Sequence, residues 1–281
     1  MGIRERSKIK LKLLSMVLTA LVTPISFADV PTDSLAASSL ADLPNTYTSV
    51  RHPTNSISGY RYGSFVFQVG GFNIHQGKAQ HINISDLVGD DFTVTQHTDS
   101  NFLLGLGYFV NGFDDTYINC GNVLFSTKIG INAFYLSKTY VKGEVVQENL
   151  YNNLSYKYSV TNYPVFLAAK ALFKTPSDIF NITLDLGAGP NFIHTGNFSE
   201  KSIDNGITIP DHIFSADTNV RLAATAGIGV QLNNVIPNVP FECGYRFFYL
   251  GEGHFDKTTH LTNTLHTGNS YANALMCSVS V

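Results

Sequence analysis

The sequence predicts an all-β chain folded as a single up-and-down antiparallel transmembrane β-barrel of eight strands, with long extracellular loops and short periplasmic turns. Three observations predict it. The carboxyl-terminal stretch from Tyr271 to Val281 alternates, with Tyr271, Leu275, Cys277, Val279 and Val281 on one face and Ala272, Ala274, Ser278 and Ser280 on the other. That period of two marks a strand, and about 9–11 residues is what one tilted strand needs to cross a bilayer. Asn, Thr, Ser, Gly, Tyr and Phe are abundant while helix formers are sparse, a composition that favours strands.

The amino terminus has the layout of a secretory signal. Arg4, Arg6, Lys8, Lys10 and Lys12 form a basic region, Leu13 to Val22 a short apolar core, and Ser26-Phe27-Ala28 a small-x-small cleavage site after Pro24. The apolar run is too short for a comfortable spanning helix. Residues 1–28 are therefore expected to be removed. They hold five of the 18 basic residues and one of the 21 acidic ones, so the mature chain carries 13 basic and 20 acidic side chains, a formal net charge of −7. This balance speaks against a nucleic-acid partner.

Residues 29–60, with Pro31, Pro44, Pro53 and many Ser and Thr, read as a weakly ordered periplasmic leader. The barrel is expected over 61–281. Its strand-like runs fall at about 62–72, 101–110, 123–140, 155–173, 179–193, 214–232, 240–250 and 271–281. The connections alternate between long (73–100, 141–154, 194–213, 251–270) and short (111–122, 174–178, 233–239), as in an outer-membrane barrel. The short ones carry turn chemistry such as Asn111-Gly112, Thr175-Pro176-Ser177-Asp178 and Asn233-Asn234.

Each strand alternates. Ile182, Leu184, Leu186 and Ala188 oppose Asn181, Thr183, Asp185, Gly187 and Gly189; Phe241, Cys243, Tyr245, Phe247 and Tyr249 oppose Glu242, Gly244 and Arg246. In the run 155–173 the polar parity flips between Lys157, Ser159 and Thr161 on one side and Lys170 on the other, which predicts a β-bulge near Thr161 to Pro164. A soluble sandwich would show the same alternation with its apolar face buried. Two features favour the inverted, membrane arrangement. Glycines gather on the polar face (Gly105, Gly107, Gly130, Gly187, Gly189, Gly227, Gly229, Gly244), as a crowded lumen requires. Aromatic residues gather at both strand ends as two girdles: Phe65, Tyr108, Phe125, Phe173, Phe180 and Phe241 on the turn side, and Phe102, Tyr135, Tyr156, Tyr158, Phe192, Phe214, Tyr249 and Tyr271 on the loop side.

The Gly-rich alternating strands, the stretches Leu184-Asp185-Leu186-Gly187-Ala188-Gly189-Pro190 and Glu242-Cys243-Gly244-Tyr245-Arg246-Phe247, and the final strand resemble the eight-stranded outer-membrane barrels of the OmpA-transmembrane and OmpX-like, "porin family" group. The resemblance implies residence in the outer membrane of a Gram-negative bacterium, among outer-membrane lipid and lipopolysaccharide. It also implies handling by the barrel-assembly machinery through the last strand. The chain departs from the pattern in ending on Val281 rather than an aromatic residue. No peptidoglycan-binding domain is expected after the last strand.

The polar-face charges Lys128, Lys170, Asp185, Arg221, Glu242 and Arg246 are expected to meet in the lumen. They form either a plug of ion pairs or, with cations in excess, a selectivity constriction of a narrow diffusion channel. Eight-stranded interiors are normally filled by side chains, which favours the plug. Eight of the nine histidines lie at or in the long connections (His75, His81, His97, His194, His212, His254, His260, His266), with no tight metal-ligand spacing, so no metal and no cofactor is expected. Some barrels of this size modify lipid A; the nearest sequence here, His266-Thr267-Gly268-Asn269-Ser270, lacks the deacylase arrangement, and no catalytic residue is assigned. Of three cysteines, Cys120 falls in a turn. Cys243 and Cys277 fall on neighbouring strands, where the preferred reading is a small apolar side chain facing lipid and the alternative is a disulfide. The function expected is a monomeric, non-enzymatic surface protein whose loops contact a host or envelope ligand.

Overall fold

The computed structural model describes residues 63–83, 89–112, 116–118, 123–148, 150–175, 179–210, 213–236, 239–257 and 263–281. The signal, the leader, Cys120, His212 and His260 lie outside them. The described chain is strand and turn throughout: β1 (Ser64–His75), β2 (Gln80–Asn83), β3 (Gly89–Gln96), β4 (Thr98–Asn111), β5 (Thr116–Ile118), β6 (Val123–Gln147), β7 (Tyr151–Lys174), β8 (Phe180–Ser202), β9 (Phe214–Ser215), β10 (Asp217–Ile236), β11 (Val239–His254), β12 (Asp256–Lys257) and β13 (His266–Ser280).

Eight of these close a ring. Antiparallel ladders run β1–β4–β6–β7–β8–β10–β11–β13, and β13 returns to β1 over ten residue pairs from Val66↔Ser280 to His75↔Tyr271. Phe65 and Val281 add a reciprocal pair of backbone hydrogen bonds, each 2.8 Å, at the end of that seam. Closure leaves the ring without an edge, which is the condition for a sheet to stand in lipid. The chain is a transmembrane β-barrel of eight strands.

The lower wall has its apolar side chains outside. Phe65, Phe67 and Val69 of β1, Leu104, Leu106 and Tyr108 of β4, Ile182, Leu184 and Leu186 of β8, and Val220, Leu222, Ile228 and Val230 of β10 are all exposed. On β10 these outward positions run from 220 to 230, the length of one tilted crossing.

The expected long loops are mostly strand. β6 continues to Gln147, β7 begins at Tyr151, and β8 runs to Ser202. Above the wall these extensions, with β3 laid on the upper half of β6 and β2 on β3, form a cap. The cap has its own apolar core of Ile82, Phe92, Val141, Val145, Leu154, Tyr156, Tyr158, Val160, Ile193, Phe214, Phe255 and Leu265. Its rings interlock, with centroids 5.3 Å apart for Phe92 and Tyr156, 5.2 Å for Tyr158 and Phe255, and 5.0 Å for Phe198 and Phe214. Tyr156, Tyr158 and Phe214 therefore do not belong to the loop-side girdle. They are core residues of the cap, and burial holds both phenols above their ordinary range.

The bulge expected near Thr161 to Pro164 is not in β7. β7 keeps one parity from Leu154 to Lys170: Lys170, Ala168, Phe166, Asn162, Val160, Tyr158, Tyr156 and Leu154 all face the barrel axis. Opposite this stretch the register shifts lie on its neighbours, between Leu136 and Thr139 of β6 and opposite Lys157 to Ser159 on β8, where Asn197 takes a positive φ of 51°; only near its start does β7 carry an extra residue itself, between Asn152 and Leu154. The polarity of β7 changes sides because its surroundings change. In the wall the outside is lipid and the inside polar; in the cap the outside is water and the inside dry.

If the cap core is a separate packed unit, Tyr158→Ala or Phe255→Ala should weaken it by about 3–5 kcal/mol. Hydrogen exchange would then accelerate at cap amides of β6 and β7 while those of the lower wall stay protected. Equal loss in both would mean that cap and wall unfold together.

Candidate functional site in the lumen and the cap

The lumen is built in layers. Near the turn end, Val66, Phe109 and Ala168 pack together. Beside them, with Lys170 Nζ 6.0 Å from the Phe109 ring, four of the six expected charges meet. Lys170 Nζ lies 2.7 Å from Glu242 Oε2 and 3.7 Å from Asp185 Oδ1, and Arg246 Nη2 lies 3.0 Å from Asp185 Oδ2. Thr183 donates its hydroxyl to Glu242 Oε1 at 2.8 Å. These four side chains are 6–14% exposed, so the cations and carboxylates are matched where an unmatched charge would be costly. Lys128 faces the same lumen directly across the β6–β7 ladder from Lys170.

Arg221 is not in this cluster. Its side chain is exposed, and its guanidinium donates to the Glu252 carbonyl at 3.0 Å and stands 3.4 Å from His254 Nδ1. It sits near the top of β10, where β11 has shifted register at Tyr249 to Gly251, so the polar parity that predicted a lumen position leads to the cap instead.

Glycine makes room for the cluster. A Cβ at Gly229 would stand 2.7 Å from Thr183 Oγ1 and 3.0 Å from Glu242 Oε1; one at Gly105 would stand 2.8 Å from Gln68 Oε1 and from the Phe134 ring. The cavity left among the charges is about 20 Å³, roughly the room one water needs.

Over the charges lies an apolar layer of Phe72, Ile74, Leu103, Phe134, Leu136, Phe166, Phe248 and Leu250 with small alanines. Phe134, Phe166 and Phe248 touch in a triangle, with centroids 5.2–6.1 Å apart, and the Arg246 guanidinium lies 5.3 Å over the Phe134 ring. Above them Asn191 donates to Asn162 Oδ1 at 2.9 Å and to the Leu250 carbonyl at 2.8 Å, and Gln76 donates to Thr139 Oγ1 at 2.9 Å. The cap core follows.

The cap surface carries His81, His254 and His266. His81 Nδ1 is 2.7 Å from Asp91, His254 Nε2 3.3 Å from Asp217, and His266 Nδ1 3.5 Å from Glu252. Burial holds His266 below its ordinary range. No group of three or more His, Cys, Asp or Glu placed to hold a metal occurs among the described residues. His266 and Ser270 do not form a couple: the Ser270 hydroxyl is buried, while His266 is half-exposed against Glu252.

At the tip of the cap, Leu150, Tyr151, Ile203, Ile207 and Ile209 are 50–83% exposed. The two segments that carry them are joined: Ile203 N donates to the Asn153 carbonyl at 2.9 Å and Asn153 Nδ2 to Thr208 Oγ1 at 2.8 Å. Asp204 organises the isoleucine loop by accepting from the Ser202 hydroxyl and from the hydroxyl and backbone N–H of Thr208. Those bonds, led by Ser202, lower its carboxyl from 3.8 to about 2.

The cysteine reading is corrected. Cys243 and Cys277 are directly opposed on β11 and β13 with Cα atoms 4.0 Å apart, and they are disulfide-bonded on the outer face. The closely spaced, side-by-side positions of an antiparallel ladder bring Cα atoms to about 4.5 Å, near enough for the bond.

No protein-family model and no curated protein matches the chain. Among solved structures, Neisserial surface protein A is 14% identical over 77% of this chain and 96% of that one, with a TM-score of 0.36. The outer membrane protein OprG from Pseudomonas aeruginosa is 13% identical over 79% and 98%, with a TM-score of 0.43. The outer membrane protease OmpT from Escherichia coli is 5% identical over 80% and 98%, also at 0.43.

Two outcomes test this geometry. Glu242→Leu should destabilise the barrel by about 3–5 kcal/mol, and adding Lys170→Met should restore much of the loss; denaturant unfolding in lipid vesicles measures both, and a neutral single variant would deny the cluster a role. The depressed carboxyl of Asp204 stabilises its loop above the ordinary value of 3.8, and that contribution fades as pH falls through about 2. Pepsin cleavage within 202–209 should therefore rise between pH 4 and pH 2, and Asp204→Asn should be cut readily at both. The ring of β1, β4, β6, β7, β8, β10, β11 and β13 is closed within this chain itself, and in that architecture the chain is an all-β, eight-stranded transmembrane barrel.

Proposed function

We infer that the chain is an integral outer-membrane protein of a Gram-negative bacterium in which the barrel is a closed anchor and the cap makes surface contacts, without catalysis. The observation that carries this reading is the cap tip. Five large apolar side chains stand exposed on a segment fixed by Asp204 and Asn153 and supported by a packed core. Apolar patches held out to water on a rigid support mark interaction sites. Preorganisation lowers the cost of binding, since the loop is ordered before its partner arrives. The lumen supports the same reading, because the phenylalanine triangle and the asparagine layer stand across the path above the charges.

The narrow-channel reading rests on Lys128 beside the balanced cluster. It requires the apolar layer to open. Refolded protein in a planar bilayer should be silent, and Phe134→Ala combined with Phe166→Ala and Phe248→Ala should admit ions. Steady conductance from the unaltered protein would turn the assignment to the channel.

The contact reading is tested on cells that express the protein. Ile207→Ser with Ile209→Ser should reduce attachment to epithelial monolayers by roughly tenfold or more, as expected for loss of central apolar anchors. The heat-dependent gel shift of the folded barrel should be unchanged. Full attachment with both serines in place would remove the tip from the contact.

A further inference from the structure

The apolar cover of the outer wall is interrupted at Gly71. At Gly71 on β1 no side chain projects, and an added Cβ would find only the Asn101 carbonyl, 3.9 Å away. Phe102, directly across on β4, and Leu275, directly across on β13, stand exposed on either side. The result is a recess lined by Gly71, Asn73, Ser100, Tyr245, Asn273 and Leu275.

One step toward the cap the recess is edged by a polar row. Ser100, Asn73 and Asn273 are ladder neighbours on β4, β1 and β13. Asn73 Nδ2 donates to Ser100 Oγ at 2.9 Å, and Tyr245 donates its hydroxyl to Asn273 Oδ1 at 2.5 Å. These bonds leave the Asn273 amide N–H groups as donors and the Asn73 amide oxygen as an acceptor, with no partner among the described residues. Asn273 lies two residues short of Tyr271 along β13, so both groups sit at the boundary of the apolar belt. Water is scarce there, and an unmet polar group is costly.

We propose that this recess is a lipid site and that its occupant is an N-acylated, hydroxyacyl glycolipid of the lipid A class. The proposal rests on the wall being membrane-facing, not on the cap contact. An acyl chain fills the groove beside Gly71, between Phe102 and Leu275. At the root of such a chain an amide or ester carbonyl accepts from Asn273, and an amide N–H or chain hydroxyl donates to Asn73. A diacyl glycerophospholipid offers carbonyls at the root of its chains but no donor beside them, so it meets only half of the row. The cap stands at this end of the barrel, which places the recess in the outer leaflet, where such glycolipids reside.

Native mass spectrometry of the refolded protein, released from nanodiscs of lipid A mixed with phosphatidylglycerol, tests the site. The unaltered barrel should retain one lipid A. Gly71→Leu, which fills the groove, and Asn73→Leu with Asn273→Leu, which removes the row, should each reduce that retention about tenfold, with the heat-dependent gel shift intact. Retention unaffected by both variants, or equal retention of phosphatidylglycerol, would overturn the proposal. Attachment of cells carrying Gly71→Leu should equal that of the parent, so failure of the lipid site and failure of the cap contact are read separately.

Discussion

The surroundings of a single strand change along its length, and the rest of the structure follows from that change. β7 runs from Tyr151 to Lys174, and from Leu154 to Lys170 the same alternate residues face the axis. Where lipid surrounds it, Leu167 is exposed outside while Lys170 is held inside against Glu242 and Asp185. Where water surrounds it, Tyr156 and Tyr158 turn inward and Lys157 outward, over the Tyr140 ring. Lipid takes the apolar groups to the outside, and water takes them to the inside. The ladder hydrogen bonds are indifferent to this exchange, so one sheet serves as membrane wall and as the shell of a water-soluble core.

Closing eight strands fixes the width of the lumen, and the width fixes what can fill it. The inner face therefore pairs absent side chains with large ones. Gly105 lies against Phe134, Gly187 against Phe166 and Thr225, and Gly229 against Thr183 and Glu242. The charge cluster needs these glycines for space and the phenylalanine layer for dryness, since ion pairs strengthen where water is excluded. A lumen packed in this way resists collapse, because charge and bulk are both met within it.

Much of this was legible in the sequence. Period-two alternation gave the eight strands, the glycines gave the crowded inner face, and the parity of Lys170, Asp185, Glu242 and Arg246 placed four charges together. Three features were not legible, each for a physical reason. Alternation in 141–147 and 151–154 follows the soluble pattern, so strands that continue past the membrane look like loops when judged by the membrane pattern. The sign change on β7 imitates a register shift, because polarity alone cannot separate a turned strand from a changed solvent. Arg221 keeps lumen parity in sequence, yet the register shift on β11 that sets it beside Glu252 and His254 is long-range and leaves no mark on β10.

The ring closes at the seam between its first and last strands. Cys243–Cys277 fastens β13 to β11 covalently, while on its other side β13 meets β1 through a ladder of ten residue pairs. On that same ladder the outer face carries Asn73 opposite Asn273 beside the bare Gly71. Both neighbours of the seam contribute as well, Ser100 from β4 and Tyr245 from β11. Side-chain hydrogen bonds tie β4 to β1 and β11 to β13 on the two flanks of the seam, while the seam itself, between Asn73 and Asn273, is left to the backbone ladder. The bonds are made on the lipid side because the inner side of the seam is already filled by Phe72, Ala272, Ala274 and Met276. The seam is thus braced from its flanks, and its own outward side chains keep an acceptor on Asn73 and donors on Asn273 for a group outside the wall.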